Sequence, residues 1–234
     1  MQRRTKIATD VTQVSDVDAK VEWLTIAGDI EVWRSLGLTV LDDGTIPLFG
    51  TSLRVVAPPP EAIGADHPDT GIVGWALSGI PAQSSTESAS LVIDGLPTEI
   101  VDAAAPVFAS HELAASALDH VVVLTPDLER TSAAIAEVTG CELKRIREVG
   151  SMRQGFHRIG RGGLIVELVE RPDIADGPAE FWGLVLIVDD LDQAYAQLGG
   201  DWVSAPKDAV QPGRQIATIR GDVGLGLPVA LMTS

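Results

Sequence analysis

Few side chains in this chain could do covalent, acid–base or metal chemistry: it has four histidines and one cysteine. His120 opens the apolar run His120-Val121-Val122-Val123-Leu124, and Glu167 sits inside another, Leu164 to Val169. An imidazole and a carboxylate are suitable ligands for Fe, Mn, Ni or Zn. They are equally suited to act as an acid–base pair on a polar ligand. His157, beside Arg158, is a further donor. Arg214 and Gln215 follow the turn Gln211-Pro212-Gly213, where a guanidinium can take a carboxylate in bidentate fashion. Trp182, near the start of a strand-like run, offers an aromatic wall for a planar ligand. Each residue also has a structural reading: a buried His–Glu hydrogen bond, a satisfied His157, a solvated loop, or a tryptophan packing between units.

Other chemistries find less support. A single cysteine excludes an intramolecular disulfide and a cysteine-rich zinc site. Cys141 follows Gly140 at a helix end and reads as a buried thiol rather than a nucleophile. His67 and His111 fall in linker-like stretches and receive no role. The glycine-rich stretches 160–163 and 221–226 lack the strand-to-helix setting of a phosphate loop and read as hairpin turns. No nucleophile elbow is present.

The 234 residues carry 17 basic against 33 acidic side chains, a formal charge of −16. That balance argues against nucleic acid and against anionic membranes as partners. At 45% hydrophobic and 21% charged, the composition is that of a globular protein. No apolar run approaches the roughly 18 residues that span a bilayer. The basic Met1–Lys6 leads into a polar stretch, so residues 1–19 read as a flexible tail and the protein as cytoplasmic.

The elements that must position these side chains recur along the chain. Three times an apolar run precedes Asp-Leu/Ile-Glu/Asp and then a helix-like segment ending near glycine, at Asp29, Asp127 and Asp190. Aspartate is a good N-cap, a following acid suits the helix dipole, and glycine suits the C-terminal left-handed position. Strand and turn signals follow each helix, so the unit is βαβββ. A shift of 63 maps Asp127 onto Asp190, Gly163 onto Gly226 and Val166 onto Val229. It also maps His120 onto Gly183 and Glu167 onto Ala230. The first unit aligns by a shift of 98, with Glu22 under His120 and Arg54 near the Glu167 position, an acid beside a base that suggests an ion pair. A fourth unit opens at Gly71–Ile80 and has lost its helix across Pro81–Ser90. Residues 58–70 and 103–117 resemble linkers.

Paired βαβββ units, the opening Leu118-Asp119-His120-Val121-Val122-Val123 with Asp127-Leu128-Glu129, and the closing Leu164-Ile165-Val166-Glu167-Leu168 resemble the vicinal oxygen chelate superfamily. That superfamily includes glyoxalase I, bleomycin-resistance proteins and extradiol dioxygenases. The stretches 181–184 and 211–218 resemble uncharacterised glyoxalase-like bacterial proteins. The resemblance implies an α+β fold of paired βαβββ modules forming incomplete barrels, in tandem halves. Residues 20–110 are then a degenerate half, and 117–234 a complete domain with modules 117–171 and 180–234. It also implies a small-molecule cup in which each unit supplies one metal ligand from its first strand and one from its last. His120 and Glu167 fill two of those positions; Gly183 and Ala230 leave the other two empty.

The expected function is binding of a hydrophobic or aromatic metabolite or drug in the C-terminal cup without a full metal site. Its contacts would be His120, Glu167, His157, Trp182, Arg214 and Gln215. The alternative is a metal-dependent lyase, isomerase or dioxygenase using His120 and Glu167, so enzyme and binding protein both remain open. No cofactor is assigned with certainty; a divalent metal is the one left open. The expected partner is a small molecule, with no nucleic acid and no membrane, in a monomer or homodimer.

Overall fold

The computed structural model describes residues 19–58, 70–80 and 89–234. The expected tail, apart from Ala19, most of the first linker, His67 and residues 81–88 of the expected lost helix lie outside them. Two open sheets are formed. The first runs β2-β3-β1-β4-β6-β5 and the second β12-β13-β14-β11-β7-β10-β9-β8. The strands of the first are β1 (Lys20–Ala27), β2 (Thr45–Ile46), β3 (Ser52–Val56), β4 (Gly71–Ser78), β5 (Ala89–Ile93) and β6 (Leu96–Ile100). In the second they are β7 (Ala115–Thr125), β8 (Arg145–Val149), β9 (Met152–Arg158), β10 (Ile165–Glu170), β11 (Glu180–Val188), β12 (Lys207–Asp208), β13 (Gln215–Thr218) and β14 (Val229–Met232).

Both sheets repeat one plan. The opening strands of two units pair antiparallel in the centre, β1 with β4 and β7 with β11. Each then pairs in parallel with the last strand of its own unit: β1 with β3, β4 with β6, β7 with β10, β11 with β14. The second sheet is the paired βαβββ arrangement, the first keeps the same pairing with three strands per unit, and among the described residues neither sheet closes into a barrel. The offset of 63 survives in the ladders, where Val121 pairs Val166 and Leu184 pairs Val229.

The helices are α1 (Ile30–Ser35), α2 (Leu128–Thr139) and α3 (Leu191–Leu198). Their starts are set by Asp29, Asp127 and Asp190, whose carboxylates accept backbone N–H groups of Glu31, Arg130 and Gln193 at 2.8–2.9 Å. Such caps contribute about 1 kcal/mol each. Among the described residues, no helix is long and apolar enough to cross a membrane.

Two expected strands of the first unit differ. Leu38 to Leu41 is irregular, because its donors go elsewhere. The Thr39 N–H reaches His111 Nδ1 (3.0 Å), and the Leu41 N–H closes a turn onto the Thr45 carbonyl (2.8 Å). The strand expected through Phe49 stops at Ile46, since Pro47 has no N–H for a ladder.

One apolar core joins the two sheets, with Trp33, Trp75 and Leu24 of the first half and Leu128, Val121 and Leu186 of the second. Trp75, 2% exposed, meets Phe181 edge to face with centroids 5.5 Å apart, a geometry worth about 1 kcal/mol beyond burial. The β5–β6 hairpin turns at Asp94-Gly95, both at positive φ, as a two-residue hairpin requires. Asp94 then takes Arg130 Nε (2.9 Å) and the Thr131 hydroxyl (2.5 Å) from α2. Phe181→Ala is expected to lower stability by about 3 kcal/mol while leaving one urea transition, because the halves share a core. Two separate transitions by circular dichroism and tryptophan fluorescence would refute that coupling.

Candidate functional site

On β7 and β10 alternation sorts the side chains cleanly. Val121, Val123, Val166 and Leu168 turn into the shared core. His120 is level with Ile165, and Val122 with Glu167, so these four point to the opposite, open face. There His120 Nε2 lies 3.4 Å from Glu167 Oε2, and Gln154 of β9 donates to Glu167 Oε1 at 2.5 Å.

A neighbour that alternation would send to the other face joins them. The β7–β11 ladder matches His120 with Val185 and Leu118 with Leu186, so Asp119 is the extra residue of a bulge. Bulges re-aim side chains, and Asp119 Oδ2 sits 2.7 Å from His120 Nδ1. Arg214 Nη2 donates to Asp119 Oδ1 (2.9 Å), and its Nε donates to the Thr233 carbonyl (2.6 Å). The result is a continuous line, Arg214–Asp119–His120–Glu167–Gln154.

The two carboxyls are pushed in opposite directions. Burial opposes ionisation of Asp119, but the hydrogen bonds and charges of His120 and Arg214 outweigh it and hold the carboxyl below its ordinary 3.8. Burial pushes Glu167 above its ordinary 4.5, against the pull of His120 and Gln154. An ionised Asp119 can only accept, so Nδ1 of His120 carries the proton and Nε2 faces Glu167. Such a line can hold a polar group or pass a proton at His120 Nε2. Beside it lies a buried apolar cluster of Val185, Ile187 and Met232, packed against Ala117, Ile216 and Ala230.

The other sequence candidates are placed as follows. His157 is on the helix side of the sheet, 1% exposed, with Nδ1 3.0 Å from the Cys141 carbonyl and Nε2 3.0 Å from the Ser132 hydroxyl. Burial holds it below its ordinary 6.5, and it does not reach the open face. Trp182 is the extra residue of a second bulge and is 47% exposed. Gln215 is exposed and spends its backbone N–H on the Thr233 hydroxyl. Asp119 and Gln154 were missed. Asp119 had no signal beyond adjacency to His120, because a bulge has no sequence mark here. Gln154 could have been reached by alternation from His157, which points the other way.

The residues do not fit a metal held by the protein. Among the described residues, no three His, Cys, Asp or Glu side chains are gathered to hold one. A catalytic ion generally needs about three protein ligands, and Gly183 and Ala230 hold the remaining positions. At Gly183 the loss is enforced: an added Cβ would stand 2.6 Å from the Pro228 carbonyl oxygen. Gly74 of the first half occupies the same register position, where an added Cβ would stand 3.1 Å from the Pro97 carbonyl oxygen.

The first half also shifts one expectation. In β1 the bulge residue is Glu22, between Val21 paired with Leu77 and Trp23 paired with Ala76. Trp23 is level with Ser52, and Thr25 with Arg54. Trp23 therefore holds the His120 position and Arg54 the Glu167 position, an offset of one from the sequence alignment. The expected Glu22–Arg54 ion pair does not form. Glu22 pairs with Lys20 (2.6 Å) and the Ser78 hydroxyl (2.5 Å), while Arg54 stacks over Trp23.

No family model and no curated protein matches the chain. Among solved structures, a triple mutant of 4-hydroxymandelate synthase from Streptomyces coelicolor is similar over 92% of both chains, with TM-score 0.58 and 15% identity. Methylmalonyl-CoA epimerase from Mycobacterium tuberculosis is similar over 51% of this chain and 89% of its own, with TM-score 0.44 and 16% identity. The fold is that of the vicinal oxygen chelate superfamily. The similarity to the synthase runs through both halves, which identifies the tandem form of the fold.

Two outcomes follow from this geometry. Gly183→Ala should destabilise the protein by about 1–3 kcal/mol, as an overpacked site does; an unchanged urea midpoint would mean that Pro228 yields freely. A carboxyl with a raised folded pKa holds its proton more tightly when folded. Wild-type stability should therefore fall relative to Glu167→Gln as pH rises through 4.5 and above. Urea unfolding across that range checks this, and a pH-independent gap would remove burial as the cause.

Proposed function

We propose that the protein binds a small organic molecule with an apolar or aromatic body on the open face of the second sheet, without a protein-held metal. The observation that carries this reading is the juxtaposition of the Asp119–His120–Glu167 line with the apolar cluster of Val185, Ile187 and Met232. The cluster, buried in the ligand-free protein, supplies apolar area once the side chains over it part, and the line supplies a donor or acceptor that fixes orientation, the usual division of labour in such sites. His120, Glu167 and Gln154 contact the polar group; Arg214 acts through Asp119. Trp182 and Gln215 belong to the periphery, and His157 supports the sheet from behind. Residues 20–110 are a degenerate half that packs on the complete domain of residues 117–234.

A metal-dependent lyase, isomerase or dioxygenase using His120 and Glu167 would need at least one further ligand from an unmatched position. Among the described residues no third His, Cys, Asp or Glu is gathered with them to hold a metal, so no reaction step is assigned to a metal.

Titrating metal-free protein with 2-naphthol should shift the His120 ring resonances saturably, and Glu167→Ala should weaken that binding at least about fivefold. One metal ion per chain in protein purified without chelators, lost in Glu167→Ala, would overturn the reading.

A further inference from the structure

The first half carries the same register positions with different side chains, and around them is a cavity of about 330 Å³. Trp23 and Arg54 form one wall, with the guanidinium carbon 3.9 Å from the ring centroid. The connecting segment Ala104–Phe108 also lines it. His111 pins that segment, with Nε2 2.7 Å from the Pro47 carbonyl and Nδ1 accepting the Thr39 N–H. The Thr39 hydroxyl adds a bond to the Ser110 carbonyl (2.6 Å).

The charges lining this cavity are unequally satisfied. Lys20 and Glu22 neutralise each other, Glu22 also takes the Ser78 hydroxyl, and Asp43 accepts the Thr45 N–H at 3.0 Å while feeling the Arg54 charge without an ion-pair contact to it. Arg54 is half-buried and makes no hydrogen bond or ion pair among the described residues. A guanidinium has five N–H donors, and stacking on Trp23 uses its face and leaves its edges. The Trp23 indole N–H is shielded from solvent and has no acceptor among the described residues, a cost that a bound acceptor can relieve. At the rim Phe49 and Phe108 are each 78% exposed, large apolar rings left in water next to a concave surface.

We propose that this N-terminal cavity is a second binding site and that it takes a small planar aromatic carboxylate. The carboxylate engages the free edge of Arg54 in bidentate fashion. The ring extends from that edge along the apolar wall of Leu48, Phe49 and Phe108. The volume is at the small end of ligand sites and suits one ring rather than a large cofactor. The site is separate from the C-terminal face and stands whether or not that face binds a ligand.

The test is a titration of the whole protein with salicylate, with neutral salicylamide as control. It is read at the Trp23 indole N–H resonance, which is assigned by its loss in Trp23→Phe. Salicylate is expected to shift this resonance saturably. Arg54→Gln should weaken the binding about tenfold or more, Arg54→Lys should retain part of it, and salicylamide should bind at least about tenfold more weakly. The dispersion of the remaining spectrum shows that each variant is folded. A Trp23 resonance unmoved at saturating salicylate, equal affinity in folded Arg54→Gln, or equal affinity for salicylamide would each overturn the proposal.

Discussion

Strands β7 and β11 lie antiparallel at the centre of the second sheet, and every other strand of that sheet hangs from one of them. Their pairing fixes which residues look into the shared core and which look outward. It also contains the bulge at Asp119. A regular ladder would have sent Asp119 to the other face and left His120 with one carboxylate. The extra residue places two carboxylates on one imidazole, at its two nitrogens. Burial then separates them, holding Asp119 ionised and Glu167 towards its protonated form.

The same plan in the first half shows how little the backbone dictates about chemistry. A bulge again follows the start of the opening strand, at Glu22. The position filled by His120 in one half is Trp23 in the other, and Glu167 is matched by Arg54. An imidazole–carboxylate contact is replaced by a cation stacked on an indole. In both halves the position that looks across at this pair is a glycine pressed against a proline carbonyl, Gly183 on Pro228 and Gly74 on Pro97. Close strand approach, rather than an isolated side-chain loss, is what empties the opposite ligand position at Gly183.

Much of the fold was legible because its signals are local. Aspartate caps at 29, 127 and 190 act within three residues of themselves, and the offset of 63 relates strands whose pairing partners move together. Failures came where partners are distant. Leu38–Leu41 reads as a strand, but its donors are claimed by His111, 72 residues from Thr39. His111 itself has no local pattern and yet pins the segment that walls the first cavity. The alignment of Glu22 with His120 was off by one because a bulge adds a residue without changing composition.

The sequence by itself determined the repeating unit and the tandem order, which follow from residue type and from the two-residue period of strands. The pairing of His120 with Glu167 and the lack of ligand side chains at Gly183 and Ala230 were implied by the family resemblance laid over that repeat. Only the tertiary structure decided that Asp119 joins His120, that His157 turns away beneath α2, and that Arg54 meets Trp23 rather than Glu22. Each of those outcomes depends on ladder register, which is set cooperatively by strands far apart in the chain and is changed by a single bulged residue.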